Sequence, residues 1–310
     1  MNKKIAFLFS GQGAQYVGMG KELCERYSEC ENIFDYASQV LGKNMKELCF
    51  KGSMQELAIT RNTQPALFTV EVATMMVLKK YGIKPDIVAG FSIGEYSALY
   101  ASGILDLMSS LFLVNQRAAA MDKVSKEGMY GMGAISGENI VEIEKMCKRY
   151  DKVWVSNYNS YKQVSITGEK QSVQKVIEEA EMAGYRTAEL KVSGAFHCPI
   201  MKEAAEEFAA SMKMIRFNEA SVPIVLNVSG KYYKSTDNLY EIMQRQICSP
   251  VLWSNTIEFM LEEGVTDFIE IGPGNVLSKF VNHVKRDKEV NVLHVENMES
   301  LSQTINKIYN

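Results

Sequence analysis

The sequence predicts an α/β fold whose mostly parallel sheet is interrupted by a small ferredoxin-like unit. Short, nearly continuous apolar runs at residues 4–9 and 85–90 alternate with segments of helical periodicity. This alternation is typical of a parallel sheet that is covered on both faces. Residues 128–192 instead follow the order β-α-β-β-α-β, which indicates a split ferredoxin-like insert. The chain has 310 residues, of which 46% are hydrophobic, enough to bury a large core.

The elements follow from these patterns in chain order. Before the insert we expect strands at 4–9 and 85–90 and helices at 16–27, 53–59, 63–81, 93–101 and 105–121. Within it we expect strands at 130–136, 153–158, 163–167 and 187–192 and helices at 139–150 and 171–183. After it we expect helices at 199–214, 255–263 and 276–283 and strands at 223–227 and 267–271. The predicted organisation is a large α/β subdomain in two parts, 1–127 and 194–310, with a small subdomain at 128–193 between them.

The bulk properties exclude several classes of protein. The net charge is -3, with 34 basic and 37 acidic residues, so we expect no nucleic-acid partner. We also expect no membrane association, since no run approaches the ~18 apolar residues of a spanning helix. The apolar run near the N-terminus is too short for a signal peptide, and we expect a cytoplasmic protein.

Cysteine and histidine spacing argues against disulfides and metals. The chain has six cysteines, none in a C-x-x-C pair, and we expect reduced thiols. The three histidines are His197, His283 and His294. No two of them have the spacing of metal ligands, so we expect no metal site.

The centre of the functional prediction is the motif Gly90-Phe91-Ser92-Ile93-Gly94, followed by a glutamate. A G-x-S-x-G between a strand and a helix is typical of the nucleophile elbow of α/β-hydrolase-like cores. The sharp turn exposes the serine hydroxyl, and the helix behind it points N–H groups at the site. The alternative is a tight structural turn without chemistry.

A nucleophilic serine needs a base. His197 lies in the loop between the last strand of the insert and the next helix, where catalytic residues are often found. His283 falls in an amphipathic helix beside basic residues and is expected on the surface. His294 lies in an apolar run and is expected to be structural. The alternative for His197 is a loop histidine without a role.

Two glycine-containing loops are predicted walls of the site. Residues 10–15, Ser-Gly-Gln-Gly-Ala-Gln, follow the first strand and open towards a helix, where a second oxyanion N–H is usually found. The loop lacks the Gly-Lys-Ser/Thr of a P-loop, which was the alternative. Residues 272–274, Gly-Pro-Gly, form a turn after a buried strand.

Together these motifs resemble the malonyl-CoA:acyl carrier protein transacylases of fatty acid synthesis and the acyltransferases of polyketide synthases. The resemblance covers the whole chain. The matching motifs, in chain order, are GQGAQ at 11–15, TQPA at 63–66, GFSIGE at 90–95, Arg117, NYNS at 157–160, the loop at His197, Arg245-Gln246 and GPG at 272–274.

The resemblance implies a role for each matching residue. Ser92 is the acylated nucleophile and His197 the base, oriented by the main-chain carbonyl of Gln246 rather than by an aspartate. The backbone N–H groups of Gln12 and Ile93 form the oxyanion hole. The remaining expected pocket residues are Arg117, which clamps the malonyl carboxylate, and Gln64, Asn159, Phe196 and Phe91. A planar guanidinium suits a bidentate carboxylate clamp. The alternative for Arg117, a surface helix residue, fits its apolar flanks poorly.

Two positions depart from the family pattern. Phe91 replaces the histidine that usually precedes the serine. Gly194 stands where many malonyl-selective polyketide acyltransferases have histidine, while Ala195 and Phe196 are retained; Phe196 would crowd an α-methyl branch. Stand-alone acyltransferases that serve polyketide assembly lines in trans often resemble this G-A-F-H pattern.

The predicted function is therefore transfer of malonyl from malonyl-CoA to the thiol of an acyl carrier protein, without a metal or other cofactor, by a monomer. Two alternatives stay open at this point. One is an acyl-carrier-protein hydrolase that removes stalled acyl units, which Phe91 leaves possible and Arg117 disfavours. The other is a non-catalytic docking module, against which the joint presence of Ser92, His197 and Arg117 argues.

Overall fold

The computed structural model describes residues 3–125, 128–190 and 194–310, which form two four-stranded sheets with helices packed around them. The strands are β1 (Ile5–Phe9), β2 (Ile87–Gly90), β3 (Tyr130–Ser136), β4 (Val153–Ser160), β5 (Gln163–Glu169), β6 (Arg186–Leu190), β7 (Asp267–Ile271) and β8 (Asn291–Val295). The helices are α1 (Lys21–Arg26), α2 (Ser28–Leu41), α3 (Met45–Phe50), α4 (Met54–Leu57), α5 (Thr60–Lys80), α6 (Gly94–Ala101), α7 (Leu107–Val124), α8 (Ile140–Lys148), α9 (Lys170–Met182), α10 (Lys202–Met212), α11 (Leu239–Cys248), α12 (Trp253–Glu262), α13 (Val276–Val284) and α14 (Met298–Tyr309).

The first sheet is parallel throughout, in the order β2-β1-β7-β8. Alternate side chains of β1 enter different cores: Phe7 and Phe9 pack on one face, Ala6 and Leu8 on the other. This is the two-sided burial that the continuous apolar runs predict. In the register Phe9 lies beside both Gly90 and the last residue of β7, so three strands end at one edge of the sheet. The loops that follow them, which carry the sequence motifs, therefore meet there.

The second sheet is antiparallel, in the order β4-β5-β3-β6, with α8 and α9 supplying the two helices of the insert. This is the strand order of a ferredoxin-like unit, and the predicted fold class is confirmed. The unit has its own core, which includes Ile135, Val164, Ile166 and Val176. It is joined to the rest of the chain by hydrogen bonds between β4 and Val251. The subdomain limits at 127/128 and 193/194 stay predictions, and residues 126–127 and 191–193, including the end of the strand expected at 187–192, lie outside the described residues.

Two predicted elements were wrong. The helix expected at 16–27 begins only at Lys21, because Gly18 and Gly20 hold the preceding chain in turns with φ of 102° and 77°. The strand expected at 223–227 is reduced to isolated bridges, Ile224 to Val88 and Val225 to Tyr232, because the chain turns back immediately afterwards.

Five elements were not predicted, namely α2, α3, α11, β8 and α14. Across the described ranges, no helix combines the length and the apolar character needed to cross a membrane.

Candidate active site

The turn after β2 presents Ser92 at the edge of the parallel sheet. Ser92 has φ of 56°, in the left-handed region, and α6 begins two residues later at Gly94. A Cβ at Gly90 would lie 1.9 Å from the carbonyl oxygen of Gly94, and one at Gly94 would lie 2.4 Å from that of Phe9. Only glycine fits at either position. The flanking glycines of the motif are therefore required by the geometry of the turn.

Two amide side chains hold this strained turn. Asn227 Oδ1 accepts the Ser92 N–H at 2.8 Å, and Asn227 Nδ2 donates to the Gly90 carbonyl oxygen at 2.6 Å. Gln246 Nε2 donates to the Ser92 carbonyl oxygen at 2.7 Å. A non-glycine residue at positive φ persists only where its surroundings over-determine it, and these three bonds do so.

Ser92 and His197 form a hydrogen-bonded pair. Ser92 Oγ lies 2.6 Å from His197 Nε2, and His197 Nδ1 lies 2.9 Å from the main-chain oxygen of Gln246. Since a carbonyl oxygen can only accept, Nδ1 carries the hydrogen and Nε2 presents its lone pair to the serine hydroxyl. The imidazole is thus oriented as a general base without a carboxylate.

His197 is neutral around pH 7. Burial lowers its pKa to about 3, and the nearby positive charge of Arg117 adds to the effect. Its side chain is buried, with only 3% of the residue exposed. A neutral imidazole is the form that can take a proton from Ser92.

Arg117 lies beneath the serine at the inner side of α7 and is completely buried. Its Nη1 donates to Gln64 Oε1 at 2.8 Å, and its Nη2 donates to Gln246 Oε1 at 3.0 Å and to Ser92 Oγ at 3.2 Å. These oxygens are all neutral, and no carboxylate of the described residues forms a salt bridge with the guanidinium within 4.0 Å. Burial accordingly lowers the pKa of Arg117.

Besides these acceptors, the guanidinium lies over the Tyr96 ring, with Cζ 5.5 Å from the ring centroid, and Glu95 acts on it from beyond hydrogen-bond distance. A buried guanidinium whose hydrogen bonds all go to neutral acceptors is costly unless something further compensates its charge. Arg117 Nη2 lies within hydrogen-bond distance of Ser92 Oγ. An anionic group on a molecule attached to this serine would therefore compensate the charge of the guanidinium. Planar bidentate pairing with a carboxylate is the arrangement guanidinium favours.

A cavity of about 470 Å³ opens in front of Ser92 and His197. Its walls come from the elbow, the loop after β1, the inner face of the second sheet and helix α13. Most of the exposed wall surface is apolar. The apolar lining residues include Phe91, Met132, Ala134, Leu190, Phe196, Val276, Leu277 and Phe280. Its size and mixed lining suit a small acyl group with an extended arm.

Half of the residues that line the cavity are polar. Asn157 and Asn159 project from β4, and the buried amide oxygen of Asn159 has no hydrogen-bond partner within the described ranges. Lys279 and His283 lie at the rim on α13, both exposed. His283 was expected on the surface, and it is exposed, but its place at the cavity rim was not anticipated.

Gln12 and Ile93 belong to two segments, the loop after β1 and the elbow, that are in close contact. Ile93 is fully buried at the start of α6, and Gln12 follows β1 in the loop that lines the cavity. Neither backbone N–H takes part in a hydrogen bond among the parts of the chain that the structure describes. Two free N–H groups beside a nucleophile are the donors that an oxyanion needs.

Phe91 and Gly194, the two departures from the family pattern, both fit the side chains that surround them. The Phe91 ring packs edge-on against Trp253 with centroids 5.3 Å apart, and lies 6.3 Å from Phe280, so it completes an aromatic wall. A Cβ at Gly194 would lie 2.2 Å from Ser125 Oγ and 2.5 Å from the Phe196 ring. A larger residue at 194 would therefore displace Phe196.

The structure thus brings together all ten residues that the sequence singled out, at different depths. Ser92, His197, Gln12, Phe91, Phe196 and Asn159 line the cavity, whereas Ile93, Arg117, Gln64 and Gln246 lie behind the serine. Sequence reasoning missed Asn227 as a brace of the elbow. The only signal was an asparagine directly after an apolar run. No cluster of three or more histidine, cysteine, aspartate or glutamate side chains suited to a metal occurs among the described residues.

Three comparisons relate the chain to known proteins. Residues 6–303 match the model of the acyl transferase domain. The malonyl CoA-acyl carrier protein transacylase of Bacillus subtilis is 38% identical over 308 residues, 97% of each chain. The crystal structure of the protein of that name from Clostridium perfringens is 40% identical, with a TM-score of 0.93 over 99% of this chain and 97% of that one. A malonyl-transacylase solved in complex with a type II polyketide synthase acyl-carrier protein is 34% identical, with a TM-score of 0.94 over 98% and 100%.

Proposed function

Because the chain belongs to the acyl transferase domain family, among the malonyl CoA-acyl carrier protein transacylases, we propose that it moves malonyl from coenzyme A to an acyl carrier protein through an acyl-serine. Ser92 is the nucleophile, and His197 is the base. We also propose a role for Gln12, Ile93 and Arg117, each from its position in the site.

The first half-reaction acylates the serine. His197 Nε2 takes the hydroxyl proton at 2.6 Å as Ser92 Oγ attacks the thioester carbonyl carbon. The negative charge that develops on the carbonyl oxygen is stabilised by the N–H groups of Gln12 and Ile93. The tetrahedral intermediate then collapses, the carbon–sulfur bond breaks, and the imidazolium returns the proton to the coenzyme A thiolate.

The second half-reaction runs the same steps in reverse order with a new thiol. The phosphopantetheine thiol of the carrier protein gives its proton to His197 and attacks the acyl-serine. The Ser92 oxygen leaves and takes the proton back. Neither half-reaction, so written, calls for a metal or redox cofactor.

The observation that carries the choice of malonyl is the buried charge of Arg117. Its Nη2 lies 3.2 Å from Ser92 Oγ, and its partners are neutral oxygens. The free carboxylate of malonyl would replace these amide oxygens as the acceptor of the guanidinium and form a charge-assisted pair. Acetyl has no carboxylate and cannot form such a pair. The hydrolase alternative gains no support, because a carboxylate clamp serves no purpose for neutral acyl chains.

The proposal has three further parts: the carrier proteins served, the location and the oligomeric state. The G-A-F-H sequence ending at His197 supports service in trans to separate carrier proteins, in fatty acid or polyketide synthesis. A cytoplasmic location is supported by six cysteines that are all unpaired. We also propose that the chain acts as a monomer, since the nucleophile, the base, the guanidinium and both oxyanion donors form a complete site without a second copy.

The experiment that tests this function follows acyl groups by intact mass. The protein is incubated with malonyl-CoA or acetyl-CoA, then chased with a holo acyl carrier protein, with Ser92→Ala as the control. We expect rapid malonyl loading, transfer to the carrier, and no adduct on the Ser92→Ala protein. Equal loading of acetyl, released to water faster than to the carrier thiol, would instead support a hydrolase.

A further inference from the structure

We propose that Glu71, a buried carboxyl on α5, is a positioning residue that fixes the spacing between the two oxyanion donors. The inference rests on the proposed function, because it assumes that the N–H groups of Gln12 and Ile93 stabilise an oxyanion. Glu71 belongs neither to the Ser92–His197 pair nor to the cavity lining, and it has no role in the mechanism above.

One oxygen of Glu71 holds the loop that carries Gln12. Ser10 Oγ lies 2.7 Å from Glu71 Oε1, and Ser10 is the first residue after β1, two positions before Gln12. The same serine closely approaches the turn after β7: a Cβ at Gly272 would lie 2.5 Å from Ser10 Oγ and 2.9 Å from Glu71 Cγ. Ser10 therefore has little freedom to move while this contact is intact.

The other oxygen holds the helix that carries Ile93. Ser97 Oγ lies 2.6 Å from Glu71 Oε2, and Ser97 is one helical turn beyond Ile93. The carboxyl thus bridges the two separate segments that supply the two N–H groups. The segments also touch directly, since a Cβ at Gly94 would lie 2.4 Å from the Ser10 carbonyl oxygen.

The protonation state of Glu71 suits this place. Burial raises its pKa to about 8, so the carboxyl is largely neutral at pH 7. A neutral group behind the oxyanion hole does not oppose the negative charge that forms there, as a carboxylate would. Serine hydroxyls both donate and accept, so Ser10 and Ser97 can satisfy either form of the carboxyl.

The test compares Glu71→Gln and Glu71→Leu, with Thr74→Val on the same buried helix as a matched control. Thr74 has a buried hydroxyl without a hydrogen-bond partner in the described part of the chain. Two quantities are measured: the single-turnover rate of Ser92 acylation by malonyl-CoA, and the Kd for malonyl-CoA in the Ser92→Ala background. Displacing a donor by an ångström can cost ~10²-fold in rate.

We expect Glu71→Leu to slow acylation by at least about 10-fold while the Kd changes less than about 3-fold. Glu71→Gln, which keeps both hydrogen-bonding atoms, and Thr74→Val should stay within about 3-fold of the unmodified protein in rate. Should Glu71→Leu fail to fold, Ser97→Ala removes one of the two hydrogen bonds of Glu71. Its acylation rate should then fall by about 3-fold or more while the Kd for malonyl-CoA changes less.

Three results would overturn the proposal. The first is an unchanged acylation rate in folded Glu71→Leu or, where that variant does not fold, in Ser97→Ala. The second is an equal loss in rate and in affinity for malonyl-CoA, and the third is a Glu71→Gln rate as low as that of Glu71→Leu. If instead the proposed function were wrong, the unmodified protein itself would acquire no malonyl on Ser92. That outcome is distinct from the three results above.

Discussion

The main-chain oxygen of Gln246 lies 2.9 Å from Nδ1 of His197, and the side chain of the same glutamine contacts both Ser92 and Arg117. One residue of α11 therefore fixes the tautomer of the base, the backbone of the nucleophile and the position of the guanidinium. A main-chain carbonyl in the place of a triad carboxylate brings no negative charge. Burial therefore keeps the base uncharged and its pKa low, and the bond to Gln246 opposes this less than a carboxylate would.

Replacing the base should abolish most of the activity. We expect His197→Ala to slow Ser92 acylation by roughly 10² to 10⁴-fold, the usual cost of losing a general base. His283→Ala at the cavity rim and His294→Ala in β8 are the controls and should stay close to the unmodified rate. Single-turnover loading with malonyl-CoA measures all three, and a His283→Ala rate as low as that of His197→Ala would show that the base is misassigned.

The low pKa of His197 predicts an unusual pH dependence. A histidine in water loses its capacity as a base below about pH 6.5, whereas burial keeps His197 neutral down to about pH 3. The acylation rate should therefore show no decline centred near pH 6.5 when it is measured by rapid quench from pH 5 to 8. A fall of about eightfold from pH 7 to 5.5, which an imidazole with a pKa of about 6.5 would give, would contradict a desolvated base.

Three buried carboxyls predict a loss of stability as the pH rises through neutrality to about 8. Burial raises the pKa of Glu71 to about 8 and those of Glu95 and Glu270 to about 7. Between pH 6.5 and 8 the folded chain therefore binds more protons than the unfolded chain, and the free energy of unfolding falls as pH rises. His197 has the opposite sign, but most of its contribution to stability is already present at pH 6.5.

Urea unfolding at pH 6.5 and 8 measures this loss. Each extra proton bound corresponds to about 1.4 kcal/mol per pH unit, so the midpoint should drop clearly. The Glu71→Gln protein should lose less than the unmodified protein over the same interval. A midpoint that rises with pH would show that these carboxyls are ionised in the folded chain.

The brace at Asn227 predicts a combined loss of stability and rate. Asn227→Ala leaves the Ser92 N–H and the Gly90 carbonyl oxygen buried without their partner, at about 1–3 kcal/mol for each group. The strained turn at Ser92 should relax, so acylation should slow as well. Asn227→Asp keeps the acceptor oxygen and should retain more of the rate; if the two variants were equally slow, the Ser92 N–H bond would not be the important contact.

The parts of the fold that could be predicted from the sequence are those that depend on a local pattern of residues. The apolar runs of β1, β2 and β7 and the glycines around Ser92 carry their information within a few residues, so the parallel sheet and the elbow could be predicted. Asn227 contacts Ser92 across 135 residues and Glu71 contacts Ser10 across 61, and no local pattern records such pairings.

The elements that were missed or wrong have related causes. The run at 223–227 is apolar enough for a strand, but the turn that follows it leaves it with single bridges only. Gly18 and Gly20, by their positive φ, keep the helix expected at 16–27 from beginning before Lys21, and apolar spacing does not reveal this. The roles of Gln64, Asn159 and Gln246 came from resemblance, since an amide has no spacing that marks it as part of a site.

The most direct test of the account is the acyl selectivity of an Arg117 variant. Single-turnover loading of Ser92 by malonyl-CoA and by acetyl-CoA is measured by intact mass for the unmodified protein, Arg117→Ala and the bulkier, uncharged Arg117→Met. Hydrogen bonds to charged groups contribute about 1.5–3 kcal/mol each, so losing two of them should slow malonyl loading by at least about 10²-fold while acetyl loading is kept or rises. Equal losses on both substrates in a folded variant would contradict the account and assign Arg117 to the support of the fold.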